Sequence, residues 1–152
     1  KKIVGITDEE YLAGLSAMYP KSNLNVLPNS VILVVDTLDR YAFPEKVRTS
    51  LSAFISKCKE DGKTVICKFH PRETEVWDIF DGCQTMDKAV GIESAYVSLT
   101  DIKDAITIAG IKSTGLMSAK KLGYNTVSLF PSCGEQNENL VKFYDKLDIK
   151  LI

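Results

Sequence analysis

Apolar residues along the chain fall into two kinds of segment that take turns. Val31-Ile32-Leu33-Val34-Val35 is an unbroken run rich in β-branched residues, the pattern of a strand covered on both faces. Thr64-Val65-Ile66-Cys67-Lys68-Phe69 is a second run, and it stops at His70-Pro71 because proline cannot donate to a strand ladder. Ile106 to Ile111 reads as a buried strand, and Asn125 to Phe130 as another before Pro131.

Between these runs the period lengthens to that of a helix. Thr7 caps a segment with Asp8, Glu9 and Glu10 in its first turn, and Tyr11, Leu12 and Leu15 follow at helical spacing until Pro20. Pro44 and Glu45 open a helix whose Val47, Leu51, Phe54, Ile55 and Cys58 form one apolar stripe, closed by Asp61-Gly62. Ser113-Thr114-Gly115 leads into a helix from Leu116 to Leu122, stopped by Gly123. Asn137 to Leu147 carries Leu140, Val141, Phe143, Tyr144 and Leu147 at helical positions.

Three stretches are less regular. Lys1-Lys2-Ile3-Val4 reads as the opening of a strand, Arg72 to Gly91 as a short helix or packed loop, and Ala95 to Leu99 as a short strand before a Thr100-Asp101 turn. The alternation as a whole predicts a parallel sheet with helices on both faces, a Rossmann-like α/β sandwich, because parallel strands need crossovers and these are right-handed.

Composition fits one such domain over residues 1–152: 45% of residues are hydrophobic and 26% charged. Nineteen basic against twenty acidic side chains, with no long run of either sign, give no footprint for nucleic acid or an anionic membrane. The longest apolar run falls far short of the roughly 20 residues a spanning helix needs, and the start is too short and too soon broken for a signal peptide. The chain begins at Lys1 rather than a methionine, which reads as a piece of a longer protein. Cys58, Cys67, Cys83 and Cys133 show no CxxC spacing and His70 is the only histidine, so reduced thiols in the cytoplasm are expected and no zinc site is.

In an open α/β sheet, ligands bind beyond the carboxyl ends of the strands. The residues to weigh are therefore Asp36 and Asp39, Lys68 to Arg72, and Lys112 to Gly115. Lys68-Phe69-His70-Pro71-Arg72 places the histidine between two cations at a strand end, where it can donate to phosphate oxygens or protonate a leaving phosphate. Ser113-Thr114-Gly115 starts a helix, whose free N–H groups and dipole favour an anion, although these hydroxyls serve equally as plain N-caps. No GxxxxGK[ST], GxGxxG or GxSxG pattern occurs, so a P-loop, a dinucleotide fingerprint and a Ser-His-Asp hydrolase lack support.

Taken together, Lys68-Phe69-His70-Pro71-Arg72, Gly91-Ile92-Glu93-Ser94 and Ser113-Thr114 resemble the bacterial sialyltransferases and polysialyltransferases of the two-domain GT-B fold, with their HP motif and later SS or ST motif. The resemblance covers roughly Val31 to Pro131. It implies that the chain is the C-terminal, donor-binding half of an inverting enzyme that takes CMP-sialic acid and needs no metal. The partners it implies are a nucleotide-sugar donor, a glycan acceptor and a missing N-terminal domain, with the longer protein cytoplasmic or peripheral at the inner face of a membrane. His70 would contact the donor phosphate as general acid, Ser113 and Thr114 would hold that phosphate, and Glu93 would hold the ribose. Lys68 and Phe69, flanked by Pro71 and Arg72, would line the cytosine pocket partly through backbone groups. The family's aspartate base would fall on Asp39 or Asp8. Thr114 departs from the second serine of many relatives, and a single domain departs from their two.

Two other readings share these residues. A CDP-glycerol or CDP-ribitol phosphotransferase of cell-wall polymer synthesis resembles the same layout, and a non-catalytic Rossmann-like module would carry His70 and Ser113 as structural features only. Trp77, Phe80, Tyr41 and Phe43, which could face an acceptor, are read as core or loop packing.

Overall fold

In the computed structural model, which describes residues 5, 7–37, 41–134 and 137–152, Ser30–Val35 (β1) is buried along its whole length at the centre of a sheet. Beside it run Thr64–Phe69 (β2) and Thr107–Gly110 (β4), both parallel, with Val35 level with Phe69 and Val34 level with Gly110. Gln84–Thr85 (β3), Asn125–Ser128 (β5) and Lys150–Leu151 (β6) complete a six-stranded, all-parallel sheet in the order β3-β2-β1-β4-β5-β6. This is a Rossmann-like α/β architecture, and the order reverses between β1 and β4, the place where such sheets leave a crevice.

The helices are Asp8–Met18 (α1), Pro44–Glu60 (α2), Ile92–Ser98 (α3), Thr114–Lys121 (α4) and Glu138–Lys146 (α5). The continuous apolar run of β1 resolves into two faces. Val31, Leu33 and Val35 pack with Val47, Leu51 and Ile55 of α2, whereas Ile32 and Val34 pack with Ala95 and Tyr96 of α3 and Leu116 and Ala119 of α4. Burying each such aliphatic side chain is worth roughly 1.5–3 kcal/mol, so this one strand contributes to holding both layers. Gly110 permits the close spacing of β1 and β4: a Cβ there would stand 3.0 Å from the Val34 carbonyl oxygen.

The α1 start follows the sequence closely, with a capping box in which Thr7 Oγ1 accepts from the Glu10 N–H at 3.2 Å and Glu10 Oε2 accepts from the Thr7 N–H at 2.7 Å. Ala95 to Leu99 is a correction. It is not a strand but the body of α3, which starts at Ile92 after Gly91 and buries Ala95, Tyr96 and Val97 together. A short apolar run buried on every side has no period that separates helix from strand. Within Arg72 to Gly91 lie a single 3₁₀ turn at Asp78–Phe80 and the two-residue β3. The strand reading of Lys1 to Val4 and the residue Asp39 lie outside the described residues.

Candidate functional site

The carboxyl ends of β1 and β2 and the starts of α3 and α4 meet around an open cleft of about 260 Å³, at the reversal of strand order. Its lining includes Asp36, Lys68, His70, Glu93, Ser113 and Thr114, so residues up to 78 positions apart in sequence share one space.

The His70 N–H donates to the Val35 carbonyl at 2.9 Å, extending the β1–β2 ladder one step, and Pro71 then ends it. The ring turns back on the chain, where Nδ1 accepts the Arg72 N–H at 3.2 Å. A ring nitrogen that accepts carries no proton in the neutral imidazole, so the proton sits on Nε2 and is free to donate. Pro71 lines the cleft with His70. The Arg72 side chain is not brought there: it is exposed and borders a separate hollow with Glu73, Thr74 and Trp77.

Lys68 is 4% exposed, although charged. Its Nζ donates to the carbonyls of Phe69 at 3.2 Å and Lys88 at 3.3 Å, and among the described residues it has no carboxylate within ion-pair distance. Burial pushes its ammonium below the usual lysine range, partly offset by Asp87. An ammonium has three N–H donors, and two carbonyls leave the third for the cleft. The Phe69 ring is in the core, 5.1 Å edge-on from Phe80, so at the cleft Phe69 offers backbone.

Ser113 is the N-cap of α4 and its Oγ accepts from the Gly115 N–H at 3.2 Å. The cap consumes an acceptor lone pair and leaves the O–H to donate outward. Thr114, one residue on, is exposed. Below them Tyr96 is fully buried, and its Oη is the one buried side-chain polar atom without a partner among the described residues. A Cβ at Gly115 would come within 3.3 Å of both Tyr96 Oη and Ser113 Oγ, so glycine keeps this helix start open. Glu93 stands half-buried in the first turn of α3, where a carboxylate suits the helix dipole.

Asp36 follows β1 at the strand end, whereas the resemblance puts the base on Asp39 or Asp8. Asp36 lines the cleft beside His70, and its Oδ2 accepts from Tyr41 Oη at 3.2 Å. Burial raises its carboxyl above the usual carboxylate range, opposed by Tyr41, His70 and Lys112. Asp8 lies elsewhere, bridged to Lys121 at 2.7 Å beside a larger hollow between α1, α4 and α5. Of the aromatic candidates, Phe80 and Tyr41 are buried, Trp77 lies under Arg48 at 5.3 Å, and Phe43 is exposed with Lys46 over its ring at 5.2 Å.

A cleft of this make can hold an anion where Lys68, His70 and the start of α4 supply donors, and a hydroxyl-bearing group against Glu93. It lacks a glycine-rich turn after β1, where Asp36-Thr37 stand instead, so it differs from a dinucleotide site of the same strand order. No described helix is long and apolar enough to cross a membrane. Compared with known proteins, the chain matches no family model, no curated protein and no solved structure.

Proposed function

We propose that this chain is the donor-nucleotide-binding domain of an inverting, CMP-sialic acid-dependent sialyltransferase of the two-domain GT-B kind. The observation that carries the reading is that Lys68, His70, Glu93, Ser113 and Thr114, chosen for the sequence motifs they sit in, border one cleft at the strand-order reversal. The CMP phosphate would lie at the start of α4, taking the Ser113 O–H, the Thr114 hydroxyl and the Thr114 backbone N–H. Glu93 would accept from the ribose hydroxyls, and the base would lie along the backbone of Lys68 and Phe69.

His70 would donate from Nε2 to the phosphate as the bond to the sugar breaks, with the Arg72 N–H holding the ring in the orientation that aims Nε2 outward. Lys68 would supply buried positive charge as the leaving phosphate gains negative charge.

Transfer assays with the natural polypeptide that carries this chain test the reading. The expected result is use of CMP-sialic acid and not of CDP-glycerol, lost in His70→Ala. Use of CDP-glycerol instead would assign the phosphotransferase. Nucleotide binding unchanged by alanine at His70, Ser113 and Thr114 would leave a non-catalytic module.

A further inference from the structure

Tyr96 of α3 carries a hydroxyl that the fold buries and leaves unused. Its side chain is fully buried, yet Oη has no hydrogen-bond partner among the described residues. The fold does satisfy the phenol beside it, since Tyr124 Oη donates to the Tyr96 carbonyl at 2.5 Å. An unpaired buried hydroxyl is costly, and native folds keep few of them.

We infer that the missing partner is the ligand, and that Tyr96 Oη is a further donor to the phosphate oxygens held at the start of α4, met at the position of Gly115. The inference rests on the nucleotide reading and deepens it with a donor that lies outside the motifs on which that reading was built.

Three observations carry it. Oη lies directly beneath the wall of the cleft: a Cβ on Gly115 would stand 3.3 Å from Tyr96 Oη, 3.3 Å from Ser113 Oγ and 3.7 Å from Ile92 Cγ1, and Gly115, Ser113 and Ile92 all line the cleft. Glu93 precedes Tyr96 by three residues on α3, the spacing of side chains that neighbour one another on a helix. Oη therefore has on one side the carboxylate that would hold the ribose and on the other the hydroxyl that would hold the phosphate, two groups adjacent in any nucleotide. Burial, with Glu93 acting in the same direction, holds the phenol well above the ordinary tyrosine range, so the proton to be donated stays on the oxygen.

Oη is closed to solvent, so a phosphate oxygen meets it by an outward step of the first turn of α4. Gly115 has no side chain to displace in that step, whereas a methyl group there would press on both Tyr96 Oη and the Ser113 cap.

The test uses the folded chain with its tyrosines labelled at the carbon that bears the hydroxyl, titrated with CMP by NMR and by calorimetry. The Tyr96 resonance, identified as the one missing from Tyr96→Phe, should shift with the same midpoint as the amides of Thr114 and Gly115. Tyr96→Phe should melt at or above the parent chain and bind CMP weaker by roughly fivefold or more, the loss of a hydrogen bond to a charged group. A Tyr96 resonance unmoved at saturating CMP, a smaller loss of affinity, or a variant that melts below the parent overturns the Tyr96 contact and leaves the nucleotide site standing. No CMP binding by the folded parent chain overturns both.

Discussion

The Arg72 N–H and His70 Nδ1 are joined at 3.2 Å across a single proline, so the backbone after β2 fixes which ring nitrogen faces the cleft. Asparagine places its amide near the Nδ1 position and glutamine near Nε2. His70→Gln should therefore keep CMP affinity within about threefold, whereas His70→Asn and His70→Ala should lose about tenfold or more, the value of a hydrogen bond to a charged group. Calorimetry of the variants checks this, and equal losses in Gln and Asn would contradict a role for Nε2.

Lys68 separates binding from stability. A buried ammonium that, among the described residues, pairs with carbonyls and no carboxylate is costly to hold, and an apolar side chain of like length removes that cost. Lys68→Met should melt at or above the temperature of the parent chain while CMP binding falls about tenfold and loses salt sensitivity. Thermal melts and calorimetry at two salt concentrations read both effects.

Two neighbouring tyrosines, their rings 5.4 Å apart and tilted by 42°, should respond in opposite directions. Tyr124 Oη donates to the Tyr96 carbonyl at 2.5 Å, whereas Tyr96 Oη has no partner among the described residues. Tyr96→Phe removes an unsatisfied buried group and should stabilise the chain by about 1 kcal/mol, and Tyr124→Phe should cost about 1 kcal/mol or more. Urea unfolding distinguishes these signs. Destabilisation by Tyr96→Phe would mean that the hydroxyl finds a partner in solution.

Asp36 makes stability depend on pH. Its carboxyl holds a proton more tightly folded than unfolded, so its contribution to stability is greatest below the ordinary carboxylate range and declines as pH rises through its raised pKa. Asp36→Asn should accordingly raise the melting temperature at pH 7, and the gain should shrink as pH falls toward about 4. Melts of the two chains across that window check the direction.

The central strands were legible because β1 and β2 announce themselves as apolar runs ended by polar or proline residues, and α1 and α2 by a capping box and a stripe closed with Gly62. The two-residue β3 and β6 were not, since Gln84-Thr85 and Lys150-Leu151 are edge strands too short to show a period. α3 was misread for the opposite reason, apolar burial on all sides. In the site, strand-end logic located His70, Ser113 and Thr114, which the sheet then assembles. The neighbours of Asp36 were hidden, because its nearness to His70 depends on the β1–β2 register and its hydrogen bond to Tyr41, five residues on, follows no helical or strand spacing. Arg72 was expected at the cleft for its charge, yet its side chain borders a separate hollow and only its backbone N–H, bonded to His70 Nδ1, bears on the cleft.

The most direct test of the proposed nucleotide site is calorimetric titration of the folded chain with CMP, with UMP and AMP alongside. The predicted result is CMP-selective binding that weakens in His70→Ala and in the Ser113→Ala/Thr114→Ala pair, with Ser113→Ala also costing about 1 kcal/mol of stability as a lost N-cap. Equal binding of all three nucleotides, or binding of none, would contradict a cytidine-nucleotide site at this cleft.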